Sequence, residues 1–150
     1  AQIGMTDAAI HSLKSVLTLD PANREAGLGM AILLEKAGNI HGAAEQYNHL
    51  AWQLATHEEA PLRNGKAAIK LATKATQMGE SYNHLYLLTL AAAYAEDGKF
   101  NRAMTTAAKA EIQAHEAGDE ASVDQIKSAI KAFRRDSPYR DIRKQEERLR

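Results

Sequence analysis

Apolar residues recur three and four positions apart along almost the whole chain, whereas strict apolar and polar alternation never persists and β-branched residues are sparse. That period is helical. Helix-ending and helix-starting residues divide it: Asp20-Pro21 with Asn23, Gly38-Asn39, Gly79 with Ser81, Asp97-Gly98 with Asn101, Gly118-Asp119 and Ser137-Pro138. They predict helices over about 5–19, 23–37, 40–56, 64–78, 82–97, 100–117 and 119–135, with a charged tail as a candidate eighth element. The links are short, so successive helices should run antiparallel, as in bundles and helical solenoids.

A period decides between those two architectures. Gly4 and Gly38 are 34 residues apart, as are Ala9 and Ala43, and Leu13 and Val16 correspond to Tyr47 and Leu50 at the same offset. The same grammar returns around Gly98, with Leu90-Ala91, Tyr94, Phe100, Ala103 and Ala110. Leu90 and Tyr94 share one helical face, Ala91 lets a neighbouring backbone approach, Gly98 ends the helix, and Ala103 admits the returning helix at close range. Each unit is a helical hairpin. The alanine-rich run "TLAAAYAEDGKFNRAMTTAAKA", residues 89–110, then divides into contact points at Ala91, Ala103 and Ala110 and residues expected to face a groove, Ala92 and Ala95.

This pattern resembles the tetratricopeptide repeat, a 34-residue helix A, turn and helix B with small residues at two crossings and proline at the end. Met30, Ala31, Leu34, Gly38, Ala43, Tyr47 and Leu50 carry the match in one unit, with Met30 where the family usually has leucine. Gly4, Ala9, Leu13, Val16 and Pro21 match the second half of the preceding unit, and Leu87, Leu90, Ala91, Tyr94, Gly98, Phe100, Ala103 and Ala110 match a later one. The resemblance implies an all-α fold of antiparallel helical hairpins stacked as a right-handed superhelix, with about seven helices.

Two departures shape the expected layout. The chain opens in the turn before a B helix, so residues 1–22 form an orphan B helix with an uncovered apolar face, as though repeats preceded it. Gly38 and Gly98 are 60 apart, where two full repeats would give 68. Helix 40–56 carries both a B signature, Ala43 and Tyr47, and an A signature, Leu50-Ala51. Either part of a repeat has been lost and one hybrid helix remains, or the chain is interrupted near residue 47. The layout is a helical repeat domain over 1–135, comprising the orphan helix, a repeat with the hybrid helix over 23–56, a loop and B helix over 57–81, a repeat over 82–117 and a capping helix over 118–135. Residues 136–150 form a charged tail, whose opening "SPYRD" resembles the close of many bacterial proteins of this family. A C-terminal set of repeats from a larger bacterial protein is the parent this suggests.

Composition narrows the chemistry. Nineteen basic and nineteen acidic residues give a formal net charge of zero, which exerts no general pull on nucleic acid or an anionic membrane. No cysteine is present, which removes disulfides, thiolate metal sites and cysteine nucleophiles. No apolar run reaches the roughly 18 to 20 residues needed to span a bilayer, so no direct membrane insertion is expected. His41 and His49 lack a third ligand, "HEEAP" is not a zinc-protease motif, Glu58-Glu59 read as adjacent carboxylates of a solvated loop, and "RNGKAA" reads as a helix start. The arginines of the tail alternate with Asp136, Asp141, Glu146 and Glu147, with only Tyr139 to stack on a base, so nucleic acid is not the expected partner. Neither a catalytic residue nor a cofactor is expected.

What remains is surface. In the family the A helices line the concave face, and by phase this assigns partner contacts to Glu25, Leu28, Ile32, Glu35 and Lys36, then Asn48, Trp52 and Thr56, then Leu85, Leu88, Thr89, Ala92 and Glu96. The carboxylate-gripping clamp of some members is not expected, because Gly29 and Thr89 stand where asparagines would be needed. Trp52, the single tryptophan, is either a binding hot spot or packed under the 56–64 loop. The expected partner is a peptide or helix of another protein, gripped by Leu28, Ile32, Trp52 and Leu88, with Glu25, Glu35 and Glu96 favouring a basic segment. The alternative is an assembly or self-association domain of a larger membrane or enzyme-linked protein, a homo-oligomer joined through the open N-terminal helix.

Overall fold

The computed structural model of the protein describes residues 2–79 and 83–140. Among these residues every regular element is helical: α1 (Gln2–Leu19), α2 (Arg24–Lys36), α3 (Ile40–Thr56), a single 3-10 turn (Ala60–Leu62), α4 (Gly65–Met78), α5 (His84–Glu96), α6 (Phe100–Glu116) and α7 (Glu120–Phe133). The expected helix start at 82 and the tail beyond Arg140 lie outside the described residues.

The starts and stops follow from side-chain chemistry. Asn23, Asn39, Asn64, Asn83 and Asp119 each cap the helix that follows by accepting from a first-turn backbone N–H, such as Ala26 N at 2.9 Å and Gly42 N at 2.9 Å. The α2, α5 and α6 ends share one geometry, in which Gly38, Gly98 and Gly118 take positive φ and the next residue's N–H returns to a carbonyl five positions back. Each such turn sends the chain back antiparallel. Gly65 has a different reason to be glycine: a Cβ there would come within 2.7 Å of Asp97 N, so the start of α4 lies hard against the end of α5.

Each helix packs on its neighbours in sequence, and α3 also packs on α5. The crossings are made by alanine. Ala31, Ala43, Ala44, Ala51, Ala55, Ala68, Ala72, Ala75, Ala91, Ala103, Ala107, Ala110 and Ala114 are all wholly buried. Large side chains fill the remaining space at few points, chiefly Tyr47 between α2, α3 and α4, and Val123, Ile126 and Phe133 under α7. At the other end α1 packs on α2 alone to any extent, and Met5, Val16 and Leu19 remain exposed.

Ala92 and Ala95 correct the sequence expectation. Both are buried, Ala92 completely within a cluster of Leu54, Ala55, Ala68 and Ala93 beside Trp52, and Ala95 in the core that α5 shares with α6 and α7. The reason is that α5 has α3, α4, α6 and α7 around it, and its sequence "LYLLTLAAAYA" is apolar all the way round. Around Ala92 such a helix has no open face, although its first turn exposes Leu85. Ala92→Leu should therefore cost about 1–3 kcal/mol, as should Ala103→Leu, because both overpack a closed crossing. Ala108→Leu, on the exposed side of α6, should stay within about 0.5 kcal/mol of the parent. Urea unfolding followed by circular dichroism checks all three, and a neutral Ala92→Leu would contradict the packing.

Candidate functional site: two clefts on opposite faces of α3

At about 100° per residue, Asn48 and Trp52 project from the side of α3 roughly opposite Tyr47, Leu50 and Leu54. Each side borders a cleft. The first is lined by Asn48, His49 and Trp52 of α3, Leu85, Leu88 and Thr89 of α5, and Gln125 of α7, and has a volume of about 210 Å³. Its wall is mixed, because the half-buried Trp52 and the exposed Leu85 adjoin Asn48, whose buried Oδ1 accepts no hydrogen bond from the described residues.

The rim of this cleft is fixed by the last described residues. Residues 136–140, where the expected charged tail begins, return to α3 and α5 through Tyr139 and Arg140. The Tyr139 ring lies 5.7 Å from that of Trp52 at 50°, and the Arg140 guanidinium sits 2.7 Å from Glu96 Oε2. Arg63 donates through Nε to Glu96 Oε1 at 2.9 Å and through Nη1 to the carbonyls of His57 and Glu58. Glu96 thus holds the 57–64 loop on one side and the C-terminal segment on the other.

The second cleft runs between α2 and α4 with α3 as its floor. Arg24, Leu28, Ile32, Tyr47, Leu50, Leu54, Ala67, Lys70, Leu71 and Lys74 line about 420 Å³. Its two ends are tied. At one, Arg24 donates to the Leu62 carbonyl; at the other, Glu35 accepts from Tyr47 Oη at 2.9 Å and pairs with Lys74 Nζ at 2.9 Å. Those contacts set α2 and α4 side by side in the same direction. Lys74 also lies 4.7 Å above the Tyr47 ring. The ammonium of Lys74, then the hydroxyl of Tyr47, hold Glu35 below the usual carboxylate range, while burial and then the carboxylate raise Tyr47.

The residues expected to meet a partner are thus dispersed. Asn48, Trp52 and Leu88 share the first cleft, and Leu28 and Ile32 the second. Glu25 is exposed on α2 and lines neither. Ala92 is buried, and Glu35 and Glu96 are already neutralised by Lys74, Arg63 and Arg140, so two of the three carboxylates expected to attract a basic segment are spent inside the fold. The contributions of Arg24, Lys70 and Leu71 were not expected. For Lys70 and Leu71 the signal was the basic and apolar spacing along 63–74, which a strict A-helix phase overlooks.

Asp119 joins the two helices that form the far walls of the first cleft. As the cap of α7 it accepts from Ser122 Oγ at 2.6 Å and Ser122 N at 3.1 Å, and its Oδ2 lies 2.9 Å from His84 Nε2 of α5. Ser122, then His84, pull its pKa from an ordinary 3.8 to about 2. Among the described residues no group of three or more His, Asp and Glu could hold a metal ion, and no helix is long and apolar enough to cross a membrane.

Residues 3–60 match the family model of the tetratricopeptide repeat. The match supports a tetratricopeptide repeat family. The seven helices of the described residues are consistent with a helical repeat of that kind. Tetratricopeptide repeats generally mediate protein–protein interaction and are typically non-catalytic. Comparison with curated proteins and with solved structures returned no match.

Two measurements follow from the ties around the first cleft. Because the folded pKa of Asp119 is depressed, its stabilising contribution is present above an unfolded value near 3.8 and is lost as pH falls toward 2. Acid unfolding should therefore show α7 loosening in that window, and Asp119→Asn should flatten this part of the profile. Glu96→Ala leaves Arg63 and Arg140 without their carboxylate and should cost about 1–3 kcal/mol, below a fully buried pair because both arginines keep some solvent. Chemical denaturation reads that loss, and an unchanged midpoint would contradict the role given to Glu96.

Proposed function

We propose that the protein is a non-catalytic interaction module whose concave cleft between α3, α5 and α7 receives a peptide or helix of a partner protein. The observation that carries this reading is one cleft in which the polar side chains of Asn48, Thr89 and Gln125 border the apolar wall of Trp52, Leu85 and Leu88. Such a mixed wall suits a partner that presents a large apolar side chain flanked by polar groups. A large apolar side chain of the partner would lie on Leu88 and Trp52, whose ring is already steadied by Tyr139. Preorganisation of that kind lowers the entropy lost on binding. We read α3 as the hybrid helix of a shortened repeat, closing a hairpin with α2 and opening the next with α4.

A second reading, self-association through α1, is favoured by the exposure of Met5, Val16 and Leu19 on that helix. Sedimentation separates the two: a dimer disrupted by Leu19→Asp supports assembly, and a monomer supports partner capture.

Selection of a random displayed peptide library on the intact protein tests the cleft. Enriched peptides should carry a large apolar residue and quench or shift Trp52 fluorescence, and Trp52→Ala should weaken them by about 2 kcal/mol or more. Peptides that bind with no change in Trp52 emission and no loss on Trp52→Ala would remove the concave cleft as the site.

A further inference from the structure

The second cleft lies on the other face of α3 and is a separate surface from the one just proposed for partner capture. Its floor and walls are apolar, formed by Tyr47, Leu50 and Leu54 with Leu28, Ile32 and Leu71, and Leu28 and Ile32 keep 40% and 39% of their surface open to solvent. A contiguous, open, aliphatic trough between two parallel helices is an interaction surface in form.

The chemistry around it selects the occupant. All three lining helices satisfy their own backbones, so the trough offers no row of N–H or C=O groups to an extended strand. An occupant must satisfy its own backbone, which means a helix. The ionisable side chains lining the trough are Arg24, Tyr47, Lys70 and Lys74, and no carboxylate among the described residues lines it. Glu35 compensates Lys74 from the end of the trough. Arg24 spends its hydrogen bond on a neutral carbonyl, and Lys70 has no carboxylate partner among the described residues, so two positive charges remain uncompensated. Moreover, α2 and α4 both begin at the Arg24 end, where the positive ends of their dipoles add to the same field.

We propose that the trough between α2 and α4 docks an acidic amphipathic helix of a partner protein, its leucine-like stripe seated on Leu50 and Leu54 and its carboxylates beside Arg24 and Lys70. The span from Arg24 to Ile32 is about 12 Å, so two helical turns of the partner suffice. A basic helix of the same shape would meet like charge and be disfavoured.

The test uses two short fluorescein-labelled synthetic helices with the same leucine stripe, one flanked by glutamates and the other by lysines. Fluorescence anisotropy with the intact protein at low salt should give the acidic helix about tenfold or greater preference over its twin, falling as salt is added. Lys70→Glu, at an exposed position, should cancel that preference, Ile32→Glu should abolish binding, and Trp52→Ala should leave it unchanged; circular dichroism confirms that each variant is folded. Equal affinity for the two helices, no binding, or binding lost with Trp52→Ala but not with Lys70→Glu would overturn the proposal. So would a peptide-free dimer dissolved by Ile32→Glu, which would make a second copy of the chain the occupant. A negative result here leaves the concave cleft untouched, since its peptides report through Trp52.

Discussion

Close approach of helix backbones at alanine is the constraint on which this fold rests. Helix axes can come within about 8 Å only where the facing residues are small, and here α4 presents Ala68, Ala72 and Ala75, all wholly buried, along one stripe. With only 5% aromatic residues, the chain cannot fill wide gaps with large side chains. It gains instead from dense dispersion contact over many short crossings. The caps and positive-φ glycines matter for the same reason, because a helix displaced by part of a turn would present a longer side chain at the crossing.

From that constraint follows the unusual work of α3. Seventeen residues long, it packs on α2, α4 and α5. A regular alternation would give each helix one partner within its hairpin and one outside, with a single open face. Here α2 and α4 lie on one side of α3 and α5 and α7 reach the other, so both remaining sides are open. Two clefts of different chemistry result, one mixed and bearing an unpaired amide oxygen, the other aliphatic with a cationic border.

The helices were legible because their punctuation is local: an asparagine or aspartate accepts from its own first turn, and a glycine adopts the left-handed turn regardless of what lies across the fold. The surface was less legible because it depends on neighbours. The phase that assigned Ala92 to a groove holds for an A helix with one open side, whereas α5 is enclosed, a condition visible only in the lack of polarity around "LYLLTLAAAYA". Leu28 and Trp52 were both assigned to the partner face by phase, yet they line different clefts. The return of Tyr139 and Arg140 joins positions more than eighty residues apart and leaves no periodic trace; Arg140, for example, reaches the Ala55 carbonyl at 3.4 Å.

A net charge of zero hides how the charges are deployed. Three carboxylates act as ties between elements: Glu35 among α2, α3 and α4, Glu96 between the 57–64 loop and the C-terminal segment, and Asp119 between α5 and α7. Each accepts two or more charged or polar donors, so the negative charge that would border the clefts is consumed in holding the helices together. Exposed surface pairs are worth little individually, but these sit at junctions where several elements meet, and they fix geometry more than they add stability. Cations outnumber free carboxylates around the α2–α4 trough as a direct consequence. The field a partner meets there is therefore set by the internal ties of the solenoid, which an average over composition cannot reveal.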